Sequence, residues 1–293
     1  MTMPATLPPA TDPAALALGQ HAGTRELIRL ALAEDVGRGD LTTEATVAPD
    51  AIATAEIRQK APGVVCGLPV AQLVFAELDP RVRAIPLVEE GSWGERRVVA
   101  RLEGPARSLL SGERTALNFL QRLSGVASAS RRAAEAVAGT GATVLDTRKT
   151  TPGHRVLEKY AVRVGGGRNH RAGLDDGILI KENHIRAAGG IGPAVAAAKR
   201  RAAPMHLVEV EVTDLAELDE AIAAGADVVL VDNADPAGLR AAVERAAGRV
   251  RLEASGGVTL ANLGEVARTG VDYVSLGALT HSAGAIDFSI IIL

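Results

Sequence analysis

Hydrophobic positions along this chain change their period near residue 142. Before that point helical and strand-like stretches are mixed. Thr24 is placed to cap a helix running to about residue 33, with Leu27, Ile28, Ala31 and Leu32 on one stripe. A loop over residues 35–43 follows. Strand-like pieces come near residues 53–58, 82–87 and 97–102, with a helix near residues 70–77 between the first two. A long helical pattern then spans residues 106–138, carrying Leu109, Leu110, Ala116, Leu117, Leu120 and Leu123, with a break expected at Ser124-Gly125.

After residue 142, short continuous apolar strands alternate with Ala-rich helices. The strands fall at residues 143–145, 178–180, 207–212, 228–231, 250–254 and 273–276. The helices centre on 156–162, 194–201, 215–223, 236–246 and 260–269. Repeated βα units with unbroken apolar strands predict a parallel sheet covered on both faces. The fold class is therefore α/β. A tail over residues 1–23 precedes an α+β domain over residues 24–141, and a parallel β/α barrel, closed or incomplete, occupies residues 142–293. A doubly wound open sheet is the main alternative. The pattern does not count the barrel's strands.

Polar residues cluster where these strands end. Asp146, Arg148 and Lys149 follow the first strand, and Lys181 continues the second. Glu211 ends the third, and Asp232 and Asn233 the fourth. Ser255-Gly256-Gly257 follow the fifth, and Gly277 the sixth. A β/α barrel builds its active site on that rim. One such residue could be surface decoration, but six strands delivering charge or Gly to one rim predict a site. Lys181 directly follows apolar residues 178–180 and should point inward. Ser255-Gly256-Gly257 and Gly277-Ala278 sit between a strand and the next turn, where free backbone N–H groups attract phosphate. His281 could reach the same group or merely end the segment. Gly165-Gly166-Gly167 reads as a chain-shaping turn rather than a phosphate cradle.

Composition narrows the ligand. The protein has 293 residues and a net charge of −3, yet residues 146–184 hold eight Lys or Arg and three of the six His. Cations gathered in one segment of an acidic body suit a small, highly charged anion. An aromatic content of 2% offers no base-stacking platform, so nucleic acid is not expected as a partner. No apolar run approaches the ~18 residues of a membrane span. The first twenty residues lack the pattern of a signal peptide. The one cysteine, Cys66, lies in an apolar run and reads as a buried structural thiol. A cytoplasmic enzyme is the plain expectation.

The blocks Asp146-Thr-Arg-Lys-Thr-Thr-Pro152, Gly165-Gly-Gly-Arg-Asn-His-Arg171 and Lys181-Glu-Asn-His184 resemble the quinolinate phosphoribosyltransferase family. Further blocks agree in order: Glu34-Asp-Val-Gly-Arg-Gly-Asp-Leu-Thr-Thr43, Gly112-Glu-Arg-Thr-Ala-Leu-Asn118, Val210-Glu-Val212, Val231-Asp-Asn233, Glu253-Ala-Ser-Gly-Gly257 and Ser275-Leu-Gly277. The resemblance covers roughly residues 24–293.

It implies transfer of a phosphoribosyl group from phosphoribosyl pyrophosphate to quinolinate, with decarboxylation, in de novo NAD biosynthesis. It assigns Arg148, His170, Arg171 and Lys181, with Arg114, to quinolinate and Lys149 to the phosphoribosyl pyrophosphate side, where the strand-end reading already puts Ser255, Gly256, Gly257, Gly277, Ala278 and His281. It makes Lys149, Lys181, Glu211 and Asp232 the catalytic set, and Glu211 and Asp232 the holders of Mg²⁺ through water. Glu209 lies on the same strand face as Glu211, and the resemblance favours Glu211. It also places Arg114 in the neighbouring subunit's active site, which implies a homodimer. His154 and His184 read as structural.

Three other readings compete: a related transferase with another acceptor, a Schiff-base aldolase using Lys181, and a non-enzymatic anion-binding protein. The last would not need Glu211 and Asp232 beside the basic ring.

Overall fold

The computed structural model describes Leu18 and residues 21–293. Most of the expected tail lies outside these residues, but Ala22 and Gly23 already belong to a helix, α1 (Ala22–Val36). Thr24 is therefore not the cap. It is buried inside the first turn, and His21 occupies the N-cap position.

The described residues divide into two compact units, one running to Ser124 and joined by residues 286–293, and one of residues 125–285. This differs from the expected boundary at residues 141/142. The division falls inside a continuous helix, α4 below, so no loop or change of composition marks it.

In the first unit, α1 is followed by α2 (Leu41–Thr46), which replaces part of the loop expected at residues 35–43. Asp40 caps α2, accepting from the Thr43 N–H at 3.0 Å, and also accepts from Ser111 Oγ at 3.0 Å. Then come β1 (Ile52–Gln59), β2 (Gly63–Val64), α3 (Leu68–Leu78), β3 (Arg83–Pro86), β4 (Trp93–Gly94), β5 (Arg97–Pro105) and α4 (Ala106–Ala136). α4 runs through Ser124-Gly125 without the expected break. Small residues there signal close packing instead. A Cβ added to Gly125 would meet Gly284 O at 2.1 Å, while Ser124 Oγ accepts from Cys66 N at 3.0 Å. Cys66 is fully buried, and burial pushes its thiol well up, as an inert structural thiol requires.

The second unit runs β6 (Thr143–Leu145), α5 (Arg155–Val164), β7 (Ile178–Ile180), α6 (Glu182–Ala188), α7 (Ile191–Arg201), β8 (Val208–Val212), α8 (Leu215–Ala223), β9 (Val228–Asp232), α9 (Pro236–Ala246), β10 (Arg251–Ser255), α10 (Leu263–Ala267), β11 (Tyr273–Ser275) and α11 (Ala278–His281). The chain then returns to the first unit as β12 (Phe288–Ile292). This strand completes an antiparallel sheet of order β12-β1-β5-β3, with Ala55 opposite both Ile292 and Leu102. The barrel domain expected to reach residue 293 therefore gives up its last segment. Phe288 and Ile290 alternate into the core while Ser289 and Ile291 face out, as a half-buried strand should.

The six parallel strands stand in the order β6-β11-β10-β9-β8-β7. The first strand pairs with the last, and the others follow in sequence. This is barrel order with one seam, between β6 and β7; a doubly wound sheet would reverse direction from a central strand. Core residues Val208, Val210 and Val212 of β8 and Val229 of β9 are fully buried. The helices start where the sequence supplies caps. Asp214 accepts from Glu217 N at 2.9 Å before α8, and Asp235 accepts from Gly238 N at 2.7 Å before α9.

Gly165 and Gly167 are packing glycines, in line with the turn reading. A Cβ at Gly165 would lie 2.3 Å from Ala127 O and 2.5 Å from Ser130 Cβ. Gly165→Ala is therefore expected to destabilise the protein by about 1–3 kcal/mol through overpacking against backbone. Calorimetry should show a Tm lower by several degrees; an unchanged Tm would mean the contact relaxes freely.

Candidate active site

The carboxyl ends of the parallel strands carry the residues singled out from the sequence. Lys181 follows β7, Glu211 is the penultimate residue of β8, Asp232 ends β9 and Ser255 ends β10. Strand pairing sets Asp232 beside Ser255. Lys181 Nζ and Glu211 Oε2 form an ion pair across neighbouring strands, and the Lys181 side chain, expected to point inward, is half exposed at the rim.

Glu209 and Glu211 share a face of β8 because side chains alternate along a strand. They sit at different depths. Glu211 is at the rim, whereas Glu209 is buried below it. There Glu209 Oε2 lies 3.0 Å from His170 Nε2, and Glu253 Oε2 of β10 lies 3.5 Å from the same nitrogen. His170 Nδ1 accepts from the Arg171 N–H at 2.8 Å. Both ring nitrogens of His170 are thus engaged within the protein.

These three side chains bring ligand atoms within 4.8 Å of one another, close enough to suggest a cation cage. The hydrogen bonding does not fit one. The Arg171 N–H needs a lone pair on Nδ1, which leaves the hydrogen on Nε2 and makes that nitrogen a donor, not a ligand. Burial raises the Glu209 carboxyl, the His170 hydrogen bond opposes this, and the charge of Glu253 adds to it. Glu209 Oε1 and Glu253 Oε1 have no hydrogen-bond partner among the described residues. The cluster is best described as two crowded acids held under one imidazole N–H.

Arg171 donates through Nη1 to Gly177 O at 3.1 Å. Burial lowers its pKa, and the neighbouring positive charge of Arg148 lowers it further. The charge of Glu209 acts in the opposite direction. The loop holding Arg148 is fixed from the helix that follows. Arg155 of α5 donates to Thr150 Oγ1 at 3.0 Å and to Arg148 O at 3.2 Å, and reaches Ala172 O at 3.1 Å. Buried Glu158 accepts from Thr151 N at 3.0 Å and from Thr151 Oγ1 at 2.8 Å.

On the other side of the seam, Thr280 Oγ1 donates to Lys149 O at 2.7 Å, and a Cβ added to Gly277 would meet Lys149 Cδ at 2.8 Å and His281 at 3.2 Å. Lys149, Gly277 and His281 thus share one corner, and Gly277 leaves the backbone open to close approach. Ser255 Oγ accepts from Ser275 Oγ at 3.0 Å. Gly256 and Gly257 take left-handed backbone at φ 81° and 65°. A side chain at Gly256 would collide with Asn233 Oδ1 at 2.3 Å. Asn233 itself is left-handed at φ 53° and donates from its amide to Asp232 Oδ2 at 2.7 Å.

His184 accepts from Lys181 N at 2.9 Å and His154 Nδ1 lies 3.2 Å from Pro152 O, the structural roles expected of both. Arg114 is exposed on α4, in the other unit from these residues. Glu253, Arg155, Glu158 and Lys159 were not singled out from the sequence. For the last two, the one available signal was a Glu-Lys pair inside the apolar run Leu157–Val162.

Comparison with known proteins decides the family. The description "Quinolinate phosphoribosyl transferase, N-terminal domain" matches residues 40–124, and "Quinolinate phosphoribosyl transferase, C-terminal domain" matches residues 126–291. The chain belongs to the quinolinate phosphoribosyltransferase family.

Among its relatives is the Bacillus subtilis "Probable nicotinate-nucleotide pyrophosphorylase (carboxylating)", 44% identical over 270 residues, covering 92% of this chain and 93% of that one. The Mycobacterium leprae nicotinate-nucleotide pyrophosphorylase (carboxylating) is 43% identical, covering 91% and 96%. A solved nicotinate-nucleotide pyrophosphorylase from Francisella tularensis superposes with a TM-score of 0.90 at 41% identity, covering 97% of this chain and all of that one. Both family domain boundaries fall near residue 125, as the two compact units do. Among the described residues no helix is long and apolar enough to cross a membrane.

Proposed function

We propose that this family member transfers the phosphoribosyl group of phosphoribosyl pyrophosphate to quinolinate and releases pyrophosphate and CO₂, leaving nicotinate mononucleotide. The observation that carries this reading is the row of charged residues at neighbouring strand ends, with Lys181 after β7 paired to Glu211 of β8, and Asp232 ending β9. Quinolinate presents two adjacent carboxylates, and Arg148 and Arg171 are side chains suited to hold them bidentately. Lys181, at the next strand end, adds a compact charge at the same rim and is already balanced by Glu211. That balance limits the free positive charge at the rim.

In the reaction the pyridine nitrogen attacks the ribose anomeric carbon. The bond to pyrophosphate breaks and its electron pair leaves with the phosphate. The bond from ring C2 to its carboxylate then breaks, because the new cationic nitrogen stabilises the pair left on C2, and C2 takes a proton. No covalent nucleophile is required. The protein contributes by holding two anions that would otherwise repel, and by stabilising charge that develops on the leaving group. Lys149, Gly277, Ala278 and His281 at one corner, with Ser255, Gly256 and Gly257, suit the phosphates. Glu211 and Asp232 suit the ribose hydroxyls.

The same two carboxylates, at neighbouring strand ends, are hard oxygen donors that fit Mg²⁺ held partly through water. When bound, the ion supplies charge neutralisation of the pyrophosphate. His170, with both nitrogens engaged, meets the substrate through its ring edge or after a change of partner. We further propose a homodimer in which exposed Arg114 enters the neighbouring site, and a cytoplasmic location, in which buried, unpaired Cys66 stays reduced.

A coupled assay with quinolinate, phosphoribosyl pyrophosphate and Mg²⁺, following nicotinate mononucleotide, tests the reading. Quinolinate is expected to react, while nicotinate and nicotinamide are poor, since each leaves a guanidinium without its carboxylate. Efficient turnover of nicotinate would overturn the assignment. A carbonyl substrate trapped on Lys181 by borohydride would favour aldolase chemistry instead.

A further inference from the structure

We propose that Asp146 and Lys159, neither of which is a substrate contact in the reading above, are the positioning residues that hold the His170–Arg171 backbone against the barrel. The proposal rests on that reading only for the identity of the substrate used to test it.

β6 and β7, the two ends of the strand order, leave a seam in the parallel sheet. Residues 168–171 run beside β6 there, but backbone pairing soon stops. Arg168 N donates to Val144 O at 2.9 Å, Asp146 N donates to Arg168 O at 3.1 Å, and the bridge from Leu145 to Arg168 is an isolated one. Beyond Arg168, side chains take over the work of a strand. Asp146 Oδ1 accepts from His170 N at 2.8 Å, and Lys159 Nζ donates to His170 O at 2.8 Å. Lys159 Nζ also reaches Asp146 Oδ1 at 2.5 Å.

The peptide groups on both sides of the His170 α-carbon are thus pinned by one ion pair. Asn169 extends the grip by donating from its amide to Asp146 Oδ2 at 2.6 Å and to Lys159 O at 2.9 Å. With φ and ψ of His170 fixed, the direction in which Arg171 leaves the chain is fixed too.

The energetics favour a positioning role over a stabilising one. The Asp146 and Lys159 side chains are 0% and 5% exposed. Removing two charges from water costs about as much as their attraction returns, so a buried pair is weak evidence for stability. Burial pushes Asp146 up and Lys159 down, and their mutual hydrogen bond and attraction, with the His170 N–H and the Asn169 amide on Asp146 and the charge of Asp176 on Lys159, oppose this. An apolar pair would fill the space, but it could not hold an N–H and a C=O in a segment that lacks a neighbouring strand. Their place beneath Arg171 explains why a costly arrangement is useful.

The test measures quinolinate affinity by calorimetry without phosphoribosyl pyrophosphate, and KM for each substrate, in wild type, Lys159→Met and Asn169→Ala. Losing one charge-assisted hydrogen bond on a positioned loop corresponds to about a tenfold loss of quinolinate affinity in Lys159→Met. A smaller loss, about threefold, is expected in Asn169→Ala, which leaves the ion pair in place. KM for phosphoribosyl pyrophosphate should stay within about twofold of wild type in both, since Lys149, Gly277 and His281 are held by other contacts.

Folded variants that bind quinolinate as wild type does would overturn the proposal. So would a parallel weakening of both substrates, which would mean general distortion of the barrel. If Lys159→Met fails to fold, Asp146→Asn, which removes the charge but keeps an acceptor oxygen for His170 N, decides in its place, with about the same tenfold loss expected. Wild type that neither binds nor converts quinolinate would remove the functional reading and this inference together, whereas active wild type beside unaffected variants removes the inference only.

Discussion

Arg148→Ala is expected to raise the quinolinate KM by about 30-fold or more without lowering the melting temperature. Losing a bidentate, charge-assisted contact to a carboxylate that stays desolvated costs about 2–5 kcal/mol, and each 1.4 kcal/mol is a factor of ten. The second half of the expectation comes from the structure. Burial is the first cause of the lowered Arg171 pKa, and repulsion between the two guanidinium charges adds to it. Removing one relieves that repulsion, and Arg148 is an exposed side chain with little packing to lose. Affinity and stability should therefore separate: KM rises sharply while Tm holds or increases slightly. Steady-state kinetics and calorimetry on the same preparation check this. Unchanged kinetics would take Arg148 out of the site, and a large fall in Tm would mean it has a packing role that its exposure hides.

Mixing two inactive proteins is expected to restore activity. If Arg114 completes the neighbouring subunit's pocket, Arg114→Ala and Lys181→Ala homodimers are each nearly inactive, because every site lacks one cation. Two-fold symmetry makes each subunit donate the same residue to the opposite site. A heterodimer of the two variants then has one site carrying both defects and one carrying neither. Random re-association of equal amounts gives about half heterodimer, so about a quarter of wild-type activity should return. Subunit exchange must be shown separately, for example by mass difference. Exchange without recovery would mean that Arg114 acts in its own subunit or not at all. The Lys181 defect is the cleaner partner for this test, since its ion pair with Glu211 places it firmly among the strand ends.

Local signals were sufficient for much of this fold. The six parallel strands, β6 to β11, and the helices between them other than α6 follow from apolar runs and capping residues, because a parallel strand buried on both faces is apolar throughout. Asp214 and Asp235 announce the helices they cap. The chain order around the barrel also follows from short βα connections. The positions of Lys181, Glu211, Asp232 and Ser255 at strand ends were readable for the same reason: they lie where each apolar run stops.

What the sequence could not decide depended on contacts distant along the chain. Gly125 looked like a helix breaker, yet α4 continues through it because a close approach to Gly284 needs the missing side chain. Residues 288–292 looked like the end of the barrel, yet they pair with β1, more than two hundred residues away. Lys159 and Glu253 looked like ordinary charges on a helix and a strand. Their burial, and the difference in depth between Glu209 and Glu211, exist only once β8 and β10 curve around a common interior and the segment of His170 closes against it. Periodicity determines which face a residue takes, since that is a property of the local backbone. How deep it lies and what charge it meets are set by the closure of the sheet, and this is why the rim of the site was legible in the chain while its buried support was not.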